Sequence, residues 1–262
     1  MRSKFRLVLL LFTILSFPGL ASANGGLGLE KLLWEANQLF LEHKDAEALE
    51  KYELLLAANP EQQEALTKAS IVCGRIGNRF PDDTHKGLYF QKAYSFASTA
   101  WGKDSLEAEN NFVMALALSN LSQTASLKER MLHICQTKRY LDKALSADSL
   151  HAGAWHLLGR WAYKAANLSF AEKSVIKLIS QEAPSEVTNE LAIDAISKAI
   201  AIDPNNLVYY YDLARVQREA NLKSECVNTL QRAIDQKLVT TEDLELSRRC
   251  KVLLKEVLRI RT

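Results

Sequence analysis

The sequence predicts an all-α fold, a solenoid of about four helical hairpins with one inserted helix and a C-terminal capping helix. Three observations carry this. Ten Gly and five Pro among 262 residues leave few breakers, while Ala, Leu, Glu and Lys are abundant. No run of β-branched residues alternates with polar ones as a strand would. Small residues recur at helical spacing wherever two helices have to cross.

The spacing is clearest between Asp148 and Asp203. Trp155, Leu158 and Gly159 stand in W-x2-L-G order, and Ala192, Ile196, Ala199 and Pro204 follow at intervals of four, three and five. These are the two halves of a tetratricopeptide repeat, a helix-turn-helix unit of about 34 residues. Gly159 is expected to leave a hole where the second helix crosses, Ala192 and Ala199 to keep that helix slim, and Pro204 to end it. Such a unit cannot bury its apolar face alone, so the chain must be a stack.

Taken in order, residues 1–23 read as a secretory signal peptide. Arg2, Lys4 and Arg6 precede an apolar run from Leu7 to Phe17, and Ala21-Ser22-Ala23 supplies the small residues of a cleavage site after Ala23. A run of this length is too short to cross a bilayer, which takes about 20 residues, so no integral membrane span is expected after cleavage. Export to the periplasm, or secretion, follows. Removal of three cations and no acid takes the formal charge from +2 to −1, and a nucleic-acid partner, which needs a strongly positive face, is not expected. Residues 24–28 read as a flexible leader and 29–262 as the helical repeat domain.

From Leu29 to Pro60 the chain gives a first repeat, with Ala36, Ala48 and Tyr52 at its small, small and large positions. Its outer face is expected to act as an end cap. The next pair is irregular: a helix from Glu61 to about Ile76, a stop at Gly77-Asn78, a long loop, and a helix from about Leu88 to Trp101 with Ala93, Ala97 and Ala100 as a packing seam. A third pair has Leu106–Leu121 as its first helix and a turn near Ser122–Ser126. The central unit carries about twenty extra residues between its helices; Phe170, Val175, Ile176 and Ile179 make that insert an amphipathic helix, and Pro184-Ser185 is expected to start the next one. The final repeat keeps Leu213, Ala214, Cys226, Leu230 and Ala233 in register. A last helix is expected to cap the stack, with Leu246, Leu253, Val257 and Leu258 facing inward.

The central motif also resembles a specific family. H-A-G-A-W-H-L-L-G-R-W-A-Y, then A-N-L-S-F-A-E-K, then A-P-S-E-V-T-N-E-L-A-I-D-A-I-S-K-A-I and D-P-N are similar to the regulator of microtubule dynamics family, and a weaker likeness extends from about Glu64 to Val257. The resemblance implies a tetratricopeptide-like fold with no catalytic centre. Family members in eukaryotes are associated with microtubules or act as organelle tethers, and the tethering member's repeat domain is linked to phospholipid binding and transfer. With an export signal where those proteins have a membrane anchor and linker, this chain looks like a bacterial periplasmic relative.

Reactive chemistry is not signalled. Cys73, Cys135, Cys226 and Cys250 never fall in C-x-x-C spacing; Cys226 and Cys250 can meet if the last helices fold back, and otherwise all four serve as small buried apolar residues. His43, His85, His133, His151 and His156 form no metal-ligand spacing. Neither a metal, a cofactor nor a catalytic residue is expected. The candidate site is the groove: His156, Arg160, Tyr163 and Lys164 on one first helix and Tyr211, Arg215 and Arg218 on the next. Cations interleaved with tyrosines suit a carboxylate, an acidic peptide or a lipid phosphate. The expected function is a scaffold holding a protein or peptide partner, with lipid or small-amphiphile transfer as the alternative.

Overall fold

A computed structural model describes residues 21–179 and 187–259, with side chains from Leu27 onward. Among the described residues there are twelve α-helices and no strand: α1 (Ala21–Leu41), α2 (Asp45–Ala58), α3 (Gln63–Arg79), α4 (Asp83–Lys103), α5 (Ala108–Leu121), α6 (Leu127–Ala147), α7 (Ala152–Ala166), α8 (Phe170–Ile179), α9 (Asn189–Ile202), α10 (Leu207–Glu219), α11 (Lys223–Ile234) and α12 (Thr241–Arg259). None of them is long and apolar enough to cross a membrane.

The helices stack as hairpins α1/α2, α3/α4, α5/α6, α7/α9 and α10/α11, with α12 closing the end and the inserted α8 lying on α6. That makes five pairs once the irregular second one is counted. The first helix of each pair also packs against the second helix of the pair before, so that α2 meets α3, α4 meets α5, α6 meets α7 and α9 meets α10. One apolar cluster runs from Ala115 on α5 to Val257 on α12, and another joins Ala36 to Ala100. Between them lies a small seam of Ala97, Val113, Met114 and Ala117.

The central repeat packs as its spacing predicts. A Cβ on Gly159 would sit 2.4 Å from Ile196 Cγ1 and 2.9 Å from the Ala192 carbonyl oxygen, closer than carbon atoms approach, so only glycine lets α7 and α9 cross here. Ala192 and Ala199 are fully buried. Asp203 caps α9, and the Pro204 carbonyl accepts a hydrogen bond from the Tyr210 hydroxyl at 3.0 Å, tying the turn to α10. Ala36, Ala48, Tyr52, Ala93, Ala97 and Ala100 are buried as their positions require.

Local differences from the sequence expectation have physical causes. Residues 1–20 lie outside the described residues, and 24–28, expected as a leader, belong to α1, which begins at Ala21; no proline interrupts this stretch, and extending a helix that has already nucleated costs little. Gly77-Asn78 does not stop α3. A Cβ on Gly77 would lie 2.6 Å from the Phe90 ring, so this glycine serves close helix packing, while the Asn78 side chain donates to the Gly74 carbonyl and keeps to the helix. The loop shrinks to 80–82, where Asp82 caps α4 by accepting from the His85 amide. The expected start at Pro184-Ser185 lies outside the described residues; α9 begins at Asn189, with the Thr188 hydroxyl as its cap. Leu258 points outward, and Cys250 takes an inward position beside Leu246, Leu253 and Val257. Cys226 and Cys250 are free thiols, as is Cys73, and Cys226 donates its S–H to the Ala214 carbonyl.

Candidate functional site

The first helices of successive hairpins turn one face inward, and hollows form along it. The larger, about 500 Å³, is bounded by His43 in the α1–α2 turn, Arg75 and Asn78 on α3, Asn120 on α5, His156 and Arg160 on α7, Tyr209 on α10, and Glu242 and Asp243 at the start of α12. The two ends of the stack therefore face each other across one space. A second hollow of about 410 Å³ continues from it, lined by Arg160, Tyr163 and Lys164 of α7, Glu172 of α8, and Asp212, Arg215 and Glu219 of α10. Arg160 borders both.

Amides shape one wall of the first hollow. Asn78 Nδ2 donates to Asn120 Oδ1 at 3.4 Å, and Gln123 Nε2 donates to Asn78 Oδ1 at 3.1 Å. Gly74 makes room for this pair, since a Cβ there would lie 2.5 Å from Asn120 Nδ2. At the far wall, burial and the Arg75 charge hold the His43 imidazole below its ordinary pKa, against the pull of Asp45, Glu242 and Asp243.

Between the two hollows lies a carboxylate that carries most of the local charge pairing. His156 Nε2 lies 2.9 Å from Asp212 Oδ2, Arg160 Nε lies 3.7 Å from the same oxygen, and Arg215 reaches Asp212 Oδ1 at 3.5 Å. Burial works to raise the Asp212 pKa. The hydrogen bond from His156 and the charges of Arg160, His156 and Arg215 outweigh it, so the carboxyl is held below its ordinary range. Burial, with help from Arg160, holds His156 below its own ordinary value in spite of Asp212. The proton on Nε2 is assigned from that bond: a neutral imidazole donates to an ionised Asp212. The His156 ring lies against Tyr209, tilted by 34° with centroids 4.6 Å apart.

The sequence-predicted site residues separate into three groups. Arg160, Tyr163, Lys164 and Arg215 come together around the second hollow. His156 is 8% exposed and belongs to the α7–α10 seam more than to the open groove. Tyr211 and Arg218 line neither hollow: Tyr211 carries the Arg215 guanidinium at 5.9 Å from its ring, and Arg218 is held by Glu219 and Glu256, each at 3.2 Å. Sequence reasoning missed Asp212, although its place three residues before Arg215 is an ion-pair spacing on a helix. It also missed the α3 and α5 amides, which only the curvature of the stack brings together.

Chemically, the groove offers ion pairing, amide hydrogen bonds and aromatic faces. Among the described residues no group of three or more His, Cys, Asp or Glu side chains is placed to hold a metal ion. The His156–Asp212 pair is the arrangement nearest to an acid–base dyad, and among the described residues no hydroxyl or thiol is hydrogen-bonded to His156.

Comparison with known proteins agrees with this architecture. The chain is similar to the human protein named regulator of microtubule dynamics protein 1, at 24% identity over 123 residues, covering 47% of this chain and 39% of that one. It is similar to regulator of microtubule dynamics protein 3 of Bos taurus at 24% identity over 238 residues, covering 86% of this chain and 49% of the relative. The chain thus spans about half or less of the length of these relatives. Among solved structures it resembles a thermophilic TPR protein of Thermus thermophilus, with a TM-score of 0.64 at 18% identity, covering 87% of this chain and 99% of that one, a likeness in fold. The family model described as Regulator of microtubule dynamics protein 1-3 matches residues 32–258, and with nearly the whole helical stack inside that match the chain belongs to this family.

Proposed function

We propose that the chain is a non-catalytic interaction module that holds a peptide or helix of a protein partner in its groove, and that it works in the periplasm after loss of residues 1–23. The observation that carries the reading is the continuity of the two hollows, joined at Arg160 and lined by inward faces from α3 to α12. Amide donors, cations and carboxylates spaced along a groove suit an extended backbone with polar side chains. The basic, apolar and small-residue order of residues 1–23 supports export. Lipid transfer calls for an apolar tunnel between the insert and the stack. The second hollow instead sets only Leu168, Ile196 and Val216 among its charged residues and Tyr163 and Asn167, so the peptide reading is favoured.

The test is capture from the native envelope with the full chain and two variants, Tyr163→Ala in the groove and Arg139→Gln on the exposed side of α6. A protein partner should be retained by wild type and Arg139→Gln and reduced at least tenfold by Tyr163→Ala, with no lipid enriched by mass spectrometry. Retention by all three proteins would reject the groove, and a stoichiometric lipid in its place would turn the reading to the carrier. The intact mass of the same preparation should correspond to a chain starting at Asn24; a full-length mass would reject cleavage.

A further inference from the structure

The two ends of the stack finish differently. On α12 the residues turned away from α10 and α11 include Arg248, Lys251 and Lys255, all exposed, the charged outer face that keeps a terminal repeat in solution. α1 has no such face. Among the described residues it packs on α2 and α3 alone, with Ala36 buried at the contact. The opposite side of the helix carries Leu27, Trp34 and Leu41, which are 70%, 62% and 64% exposed. Each stands seven residues from the next, two helical turns, so the three form one apolar row along the helix. A row of this kind marks a surface that is covered in use. No α1 residue borders either hollow of the groove.

The row is symmetric about Trp34. When two α1 helices meet antiparallel across a two-fold axis at that residue, Leu27 of each copy lies against Leu41 of the other and Trp34 meets its own copy. Glu30 then falls opposite Gln38, and Lys31 opposite Asn37, so no like charges meet. A parallel pair sets Glu30 against Glu30 and Lys31 against Lys31, a juxtaposition that works against association. The flanks also disfavour a lipid surface: Glu30 and Glu35 outnumber Lys31, which already lies 3.9 Å from Glu35, whereas a helix lying on a membrane is rich in Lys and Arg. A head-to-tail contact with α12 would set the row against Arg248, Lys251 and Lys255, which offer it no apolar partner.

We propose that this face of α1 is the contact between two copies of the chain, an antiparallel two-fold pair centred on Trp34. An isologous pair of this kind closes on itself, and both grooves stay open whatever they hold. Covering the three side chains on each copy removes roughly 800 Å² from water, and the polar flanks bring the total towards about 1,200 Å², the lower end of specific interfaces. The pair is therefore weak and concentration-dependent, with Kd on the order of 10 µM.

Sedimentation velocity on the full chain, purified from the envelope, tests this from about 1 to about 200 µM, a range that spans the expected Kd. Wild type and Leu106→Glu, at an exposed leucine between α4 and α5, should pass from monomer to dimer. Trp34→Glu and Leu27→Glu should each dimerise at least tenfold more weakly, as loss of a central apolar anchor does; two variants at exposed sites, checked by circular dichroism, keep a folding defect from passing for a lost contact. For the orientation, Leu27→Cys and Leu41→Cys chains are oxidised separately and mixed: a linked dimer beyond the wild-type background should form in the mixture alone, and a link in either chain by itself would overturn the antiparallel pair. A wild type monomeric throughout, or a dimer that persists in Trp34→Glu and Leu27→Glu, would overturn the contact. So would a monomeric wild type that floats with phosphatidylethanolamine–phosphatidylglycerol vesicles and loses this in Trp34→Glu, which would give the row to a membrane.

Discussion

At one turn of α7 the Asp212 carboxylate of α10 meets His156, Arg160 and Arg215; one turn further on, Lys164 feels the charges of Arg130 and of a Glu172 that is already capping α8. Both regions place charge where water is scarce. In the first, two guanidinium groups and a neutral imidazole converge on one carboxylate by direct contact, and the net effect is to tie two repeats together. The second has no such contact: Lys164 donates to the Ser122 hydroxyl, and the carboxylate near it, Glu172, accepts from Ser169. Taking one member from a buried, contacting set of charges destabilises a fold, whereas a half-buried cation held only by a hydroxyl contributes little.

The sharpest way to break the comparison is to remove the Asp212 charge. Asp212→Asn keeps the shape and removes the charge that faces two guanidinium groups. It should cost about 2 kcal/mol, the size of the lost hydrogen bond from His156 to a charged group, because the two guanidinium groups are half exposed and can be solvated, and lower Tm on the order of 4–8 °C in a chain of this size. A thermal melt by circular dichroism reads it; a shift below about 2 °C would mean that Asp212 is no more structural than an exposed acid.

Acid should weaken the same seam more gently. His156 stays neutral in the fold because burial holds its pKa below the ordinary 6.5. As pH falls through 6.5 the unfolded chain takes up a proton that the folded one refuses, so stability declines. The lowered Asp212 carboxyl adds a second loss once pH drops below about 3.9 and on through its folded value. His43 and His133 share the direction and His151 opposes it, so the quantity to measure is the difference in Tm between wild type and His156→Gln from pH 8 to pH 5. That difference should shrink as pH falls; a constant difference would show that His156 protonates as freely in the fold as outside it.

How much of this was legible in the sequence follows from what each feature depends on. Gly159, Ala192 and Ala199 announce a helix crossing because that contact lies within one repeat, where sequence spacing and geometry are the same thing. Arg160, Lys164 and Arg215 could be placed in the groove for a similar reason: a helix face is fixed by its period. Asp212 with His156 joins α7 to α10, and Asn78 with Asn120 joins α3 to α5; these pairings depend on how far each repeat rotates against the next, which no local pattern states. Gly77 shows the opposite error. A glycine before asparagine reads as a helix stop, yet here it lets Phe90 approach, a distinction that only the partner helix decides.

The smallest expected effect bears on Lys164. Lys164→Met keeps the length of the side chain and removes a cation that Arg130 and Arg160 repel, at the loss of one hydrogen bond to Ser122. Removing a poorly matched buried charge and removing a hydrogen bond act in opposite directions, each on the order of 1 kcal/mol, so Tm at pH 7 should move by no more than about 3 °C and either sign is consistent. The pH dependence gives the direction. With its folded pKa lowered, wild-type Lys164 binds fewer protons than the unfolded chain in the interval below 10.5, so this residue makes stability rise with pH there. The rise should be absent from Lys164→Met, measured as the change in Tm between pH 7 and pH 10. A wild type and variant with the same slope would place Lys164 in ordinary solvent, and the contrast between the two turns of α7 would then rest on Asp212 alone.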